Sequence, residues 1–140
     1  MILHHNLVHV RWDDLDAFGH INNAAYLTFV QEARSDFTWY SRKRNGETPI
    51  LADMVVARAE IDYLEPIYEG GIEVDVAISV TRIGNSSFDL FYEISRDGVT
   101  HARAKTIQVA VSMKTKKPRS LNDEERSFLT RYLAEPSKEN

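Results

Sequence analysis

The apolar positions change period partway along the chain. Tyr26, Phe29, Val30, Ala33, Phe37 and Tyr40 recur at three- and four-residue spacing, which paints one face of a helix. Asn22 or Asn23 supplies a natural N-cap, and Asn45-Gly46 ends the helix. Arg42, Lys43 and Arg44 suit its negative C-terminal end. Upstream, His9 to Trp12 reads as the start of a short strand, with Val8 and Val10 apolar. Asp13 to Asn23 is polar, contains Gly19, and reads as a loop.

After the helix the period becomes two. Val55, Ala57, Ala59, Ile61 and Tyr63 form one run, broken by Pro66. Ile72, Val74, Val76, Ile78 and Val80 form the next, and Phe88, Leu90, Tyr92 and Ile94 a third. Ile107, Val109, Val111 and Met113 alternate with Thr106, Gln108, Ala110 and Ser112 in the last. Asp97-Gly98 between the last two runs predicts a tight hairpin, because a type I′ turn needs positive φ. Glu69-Gly70-Gly71 and Gly84-Asn85 mark the other turns. Asn122-Asp123-Glu124-Glu125 predicts a capped closing helix with Phe128, Leu129, Tyr132 and Leu133 on its apolar face. The predicted architecture is α+β: a long helix packed on a five-stranded antiparallel sheet, with a short C-terminal helix. Apolar residues such as Phe91 and Val56 are left on the other sheet face, which predicts a homo-oligomer.

At 140 residues the chain predicts a single domain spanning 1–140. The sequence has no cysteine, which excludes disulfides, a Cys-ligated metal and a cysteine nucleophile. No signal peptide is visible and no apolar run suits a membrane span, so a cytoplasmic chain without a membrane partner is expected. The net charge of −4 argues against a nucleic-acid partner. The charge is unevenly placed. Between Asp97 and Asp123 lie Arg103, Lys105, Lys114, Lys116, Lys117 and Arg119 with no acid among them. That stretch reads either as solvated surface or as a local site for a phosphorylated ligand.

Possible catalysts are densest between Val10 and Tyr26, where Asp13, Asp14, Asp16, His20, Asn22, Asn23 and Tyr26 fall together. Asp14, Asp16 and His20 match no metal-loop spacing, so no metal and no cofactor are expected. Ser86 and Ser87 follow Gly84 but lack the Gly-x-Ser-x-Gly elbow of a serine hydrolase. A carboxylate beside the free N–H groups of a helix start suits acyl transfer to water, with Asp16 attacking or activating water. A bland reading remains open beside it: Asp16 as an Asx-turn residue, Asn22 and Asn23 as caps, and Tyr26 as core.

Asp14-Leu-Asp16-Ala-Phe-Gly19-His20-Ile-Asn22-Asn23-Ala-Ala-Tyr26, followed by Glu32-Ala33-Arg34, resembles the signature of hotdog-fold acyl-CoA thioesterases, more narrowly the 4-hydroxybenzoyl-CoA type. The Arg82-to-Phe88 and Lys114-to-Leu121 segments resemble that family's entry to a long strand and its closing turn. The resemblance implies a homodimer or homotetramer with the site between protomers, acting on acyl-CoA. It implies Asp16 as nucleophile or general base and the Asn23 backbone N–H as the donor that polarises the carbonyl. His20, Asn22 and Tyr26 would contact the acyl group or shape the loop. Lys114, Lys116, Lys117 and Arg119 would meet the CoA phosphates. An acyl-carrier-protein substrate, or a non-catalytic acyl-CoA-binding module, are the alternatives on the same fold. Leu15 stands where the family commonly has Thr.

Overall fold

The computed structural model describes residues 2–134. Strand β1 (His4–Val10) is followed by a 3-10 turn at Trp12–Asp14 and then helix α1 (Asn23–Ser35). A π-helical turn at Asp36–Tyr40 and a last α turn, α2 (Ser41–Arg44), continue α1 without a break. Four strands follow, β2 (Met54–Tyr63), β3 (Ile72–Ile83), β4 (Ser87–Arg96) and β5 (Val99–Ala110), before helix α3 (Asp123–Arg131). The five strands are antiparallel in the order β1-β3-β4-β5-β2. This is the expected α+β architecture, a long helix on a five-stranded antiparallel sheet with a short C-terminal helix.

Two strand expectations need correction. The first strand is His4–Val10, not His9–Trp12. The chain leaves the sheet after Val10 because the buried carboxylate of Asp14 accepts from the Arg11 backbone N–H at 2.8 Å and pins a tight turn. The second correction is the face of β5. Ala102, Ala104, Thr106, Gln108 and Ala110 face the core, while Ile107 and Val109 are half-exposed on the other side. The Asp97-Gly98 turn, with φ of 51° and 77°, fixes this register. It sets Tyr92 opposite Ala104, Leu90 opposite Thr106 and Phe88 opposite Gln108. Small and polar residues on β5 thus sit beside the bulky β4 row.

The helix buries Tyr26, Phe29, Val30, Ala33 and Phe37. Against them lie Val74, Val76, Ile78 and Val80 of β3 and Phe88, Leu90, Tyr92 and Ile94 of β4, all fully buried. At its N-terminus, the Asn22 side chain accepts from the Ala24 N–H at 2.9 Å. Helix α3 has the predicted capping box between Asn122 and Glu125, and its Phe128 packs on Phe37. Strand β2 is the edge opposite β1, and Val55, Val56 and Tyr63 on it are about half exposed. No helix among the described residues is long and apolar enough to cross a membrane.

Candidate active site

The loop before α1 folds back on itself. The Asp16 N–H donates to the His20 carbonyl at 2.7 Å, and the Gly19 N–H donates to the Asp16 carbonyl at 3.1 Å. Gly19 takes a φ of 77°, which favours glycine. Leu15 and Ile21 bridge the two arms, and the Asn22 N–H donates to the Asp14 carbonyl at 2.7 Å. Asp14 is buried and paired with Arg11 at 2.9 Å, so it holds the loop and does not line the cleft beside Asp16. The loop therefore delivers Asp16 to the side of the helix start, through these backbone bonds and the Asp14 carboxylate.

Asp16 is half-buried. Its Oδ1 accepts from the backbone N–H groups of Phe18 at 2.9 Å and His20 at 3.2 Å. Oδ2 makes no hydrogen bond among the described residues. The Asx-turn role and an oxygen without a hydrogen bond among the described residues thus coexist in one carboxylate. Beside it is a cleft of about 170 Å³, lined by Asp16, His20, Ile21, Asn23, Tyr26, Tyr63, Leu64, Glu65 and Pro66. Asn23 is the first residue of α1, and its backbone N–H, a free end of the helix dipole, has no partner among the described residues.

Of the sequence-predicted site residues, Asp16, His20, Asn23 and Tyr26 therefore meet in one cleft. Asn22 is exposed and acts as the cap of α1, outside the cleft lining. His20 packs edge-on against Tyr68, with ring centroids 4.9 Å apart. Tyr26 is buried and packs edge-on against Tyr63, and burial pushes its phenol above the ordinary range. It is neutral at pH 7 and can act there only as a hydrogen-bonding wall. The Tyr63 hydroxyl donates to the Asn23 carbonyl at 3.1 Å. The Tyr63-to-Pro66 wall was not identified from the sequence. Its one signal is Pro66, which ends β2 where the chain turns in toward the helix start.

The basic segment lies elsewhere. Met54 pairs with Ala110 at one end of the β2–β5 ladder, and Tyr63 pairs with Ala102 at the other. The Asp16 cleft is at the Tyr63 end, and the Ser112–Lys117 loop, closed by two bonds of 2.8 Å, is at the Met54 end. Nine strand steps separate them, roughly 30 Å at the usual rise. Lys114, Lys116 and Lys117 are exposed. Arg119 is not free: its guanidinium forks onto Asp53 (3.0 and 3.2 Å) and Glu125 (both 2.8 Å). Hydrogen bonds from Arg119 hold both carboxyls below their ordinary range and push Arg119 itself up. No group of three or more His, Asp or Glu among the described residues is placed to hold a metal ion.

The sequence profile of the thioesterase-like superfamily matches residues 10–129. The chain is 31% identical over 128 residues to the uncharacterised protein YsmA of Bacillus subtilis, covering 89% of this chain and 83% of that one. It is 29% identical over 128 residues to the long-chain acyl-CoA thioesterase FadM of Escherichia coli, covering 90% and 96%. Among solved structures, a Thermus thermophilus thioesterase complexed with coenzyme A and Zn superposes with a TM-score of 0.75 at 30% identity, over 94% of this chain and 95% of that one.

Proposed function

The chain belongs to the thioesterase-like superfamily of hotdog thioester hydrolases, and from that premise and the Asp16 corner we propose that it hydrolyses acyl-CoA to a free acid and CoA. The observation that carries this reading is the shared cleft: Asp16, with one carboxylate oxygen anchored and one open, lines the same space as Asn23, whose N–H has no partner among the described residues. A thioester carbonyl seated there meets a base or nucleophile on one side and a fixed donor on the other. Either the carboxylate attacks the acyl carbon directly, giving after loss of the thiolate an Asp16 mixed anhydride that water cleaves to regenerate the carboxylate, or it takes a proton from a water that attacks that carbon itself. Negative charge then develops on the carbonyl oxygen, where a preorganised N–H stabilises it without reorganisation. Collapse breaks the carbon–sulfur bond, and the CoA thiolate leaves and takes up a proton. Water supplies the oxygen of the released acid. His20 and Tyr26 form walls of the acyl site, and Asn22 positions the Asn23 amide through its cap.

CoA is favoured over acyl carrier protein by the coenzyme A held in the Thermus thermophilus relative and by the lysine loop. The long-chain activity in the name of FadM favours an aliphatic acyl group over the 4-hydroxybenzoyl group of the family resemblance. The separation of Asp16 from Lys114, Lys116 and Lys117 supports a homodimer. Antiparallel pairing of two β2 edges about a two-fold axis places the partner's Met54 end beside this protomer's Tyr63 end. Each site then takes its acid from one copy and its phosphate contacts from the other. Arg119 belongs to this rim as a brace for the loop.

Thiol release from acetyl-, dodecanoyl-, hexadecanoyl- and 4-hydroxybenzoyl-CoA tests the function. The wild type turns over at least one, and Asp16→Asn lowers its kcat by roughly 10²–10⁴, the range for loss of a positioned base. Unchanged turnover in Asp16→Asn overturns the mechanism. Tight binding of acyl-CoA with no turnover makes the chain a binding module.

A further inference from the structure

The start of α1 presents four N–H groups outside the helical ladder, those of Asn22, Asn23, Ala24 and Ala25. Three have partners. The Asn22 N–H donates to the Asp14 carbonyl at 2.7 Å, the Ala24 N–H to Asn22 Oδ1 at 2.9 Å, and the Ala25 N–H to the Asn22 carbonyl at 2.9 Å. Asn23 is the exception among the described residues, and its N–H is the donor that the proposed hydrolysis uses. The three bonds stay within the loop and its own helix. None of them reaches the sheet.

A fourth bond does. The Tyr63 hydroxyl donates to the Asn23 carbonyl at 3.1 Å, across 40 positions of sequence. Tyr63 is the last residue of β2 and lines the Asp16 cleft. Its base is fixed: Tyr63 pairs with Ala102, and the N–H groups of Leu64 and Glu65 both donate to the His101 carbonyl, at 2.9 and 3.2 Å. His101 Nδ1 meets the Glu65 carbonyl at 2.8 Å. The phenol ring is held as well, edge-on to the buried ring of Tyr26 with centroids 5.2 Å apart. The side chain is thus a strut, rooted in the sheet, seated on Tyr26 and ending on the residue whose N–H is free.

An oxyanion donor works by being in place before charge develops. A misplacement of about 1 Å can cost on the order of 10² in rate. The first turn of a helix is its loosest part, because its N–H groups lack ladder partners. Here Asn22 is held on one side of the Asn23 N–H by its own bonds, and the Asn23 carbonyl is held on the other side by Tyr63. The N–H between them keeps one direction relative to the sheet and to Asp16.

Resting on the thioesterase reading above, we propose that Tyr63 is a positioning residue for the reaction: its phenol ties the first turn of α1 to the sheet and so aims the Asn23 N–H at the carbonyl oxygen of the thioester. It acts through Asn23 and takes no part in proton transfer, which stays with Asp16.

Tyr63→Phe keeps the ring against Tyr26 and removes only the hydroxyl. With the acyl-CoA that the wild type turns over fastest, kcat is expected to fall roughly tenfold, part of the 10²–10³ lost when an oxyanion donor is removed outright. KM, and the Kd of the matching CoA thioether, which has no carbonyl to polarise, should stay within about twofold, because ground-state binding is untouched. The pH dependence of kcat should keep its shape, since Asp16 is unaltered. Exchange of the Ala24 and Ala25 amide hydrogens, followed by NMR, should quicken by roughly fivefold or more as the first turn loosens, with Tm little changed. An unchanged kcat overturns the proposal. So does a rise of KM and of the thioether Kd with kcat unaltered, which would make Tyr63 a wall of the acyl site alone. Unmoved amide exchange overturns it too. Absence of wild-type turnover on any thioester would instead sink the thioesterase reading itself, and the exchange measurement would still decide whether Tyr63 holds the helix start.

Discussion

Asp16 and Arg119 show how a charged residue's neighbours decide its use. Asp16 has backbone N–H donors on one oxygen only, so it is aimed but not exhausted. Arg119 has four hydrogen bonds to two carboxylates, and little is left for a ligand. Arg119→Ala should therefore damage the fold before it damages binding. Glu125 is buried, and removing its partner leaves an uncompensated charge, at a cost of about 3 kcal/mol, the lower end of the range for a broken buried pair. That corresponds to a fall in Tm of roughly 10 °C for a chain of this length, readable by thermal melting. The acid side has a defined sign. Asp53 and Glu125 titrate lower in the folded chain than their ordinary values of 3.8 and 4.5. Their contribution is fully present above those values and is lost as pH falls below them. The stability gap between wild type and Arg119→Ala, measured by denaturant titration, should be constant at neutral pH and narrow below about pH 4.

At the scale of elements, the helix was readable because its stripe is buried on one side only, and Phe29 and Ala33 obey it. The β3 and β4 rows were readable for the same reason. β5 was not, because apolarity there does not mark the core: Ile107 and Val109 outrank Thr106 and Gln108 in hydrophobicity but sit on the outer face. The register imposed by the Asp97-Gly98 hairpin decided the matter, and that cue was in the sequence. The loop residues Asp16, His20 and Asn23 were identifiable as a group because they are adjacent in sequence. Tyr63 to Pro66, some forty positions away, join them only through the sheet order, which local pattern does not encode. If the lysine loop meets CoA phosphates, changing Lys116 and Lys117 to Ala raises KM and flattens its salt dependence, with kcat little altered. Steady-state kinetics at two ionic strengths checks this, and an unchanged KM at low salt removes the assignment.

The whole molecule poses the question of what covers β2. An edge strand with free backbone groups and half-exposed Val55, Val56 and Tyr63 is a template for pairing. If two copies meet there, defects in the acid and in the lysines should complement. A hybrid of one Asp16→Asn subunit with one Lys116→Ala, Lys117→Ala subunit contains one intact composite site. It should recover about half of the wild-type kcat with the wild-type KM, the form mutational kinetics takes when binding and chemistry are separable. Sites built within a single copy would show only the elevated KM. Differential tagging and purification of the hybrid makes the comparison direct.

The roughly 30 Å between the two ends of the β2–β5 ladder then has a consequence for how the enzyme behaves in a test tube. If the two halves of each site lie on separate chains, catalysis obeys mass action in the protein itself. Specific activity should hold steady at high concentration and decay on dilution once the subunits part, and saturating acyl-CoA should delay the decay by bridging them.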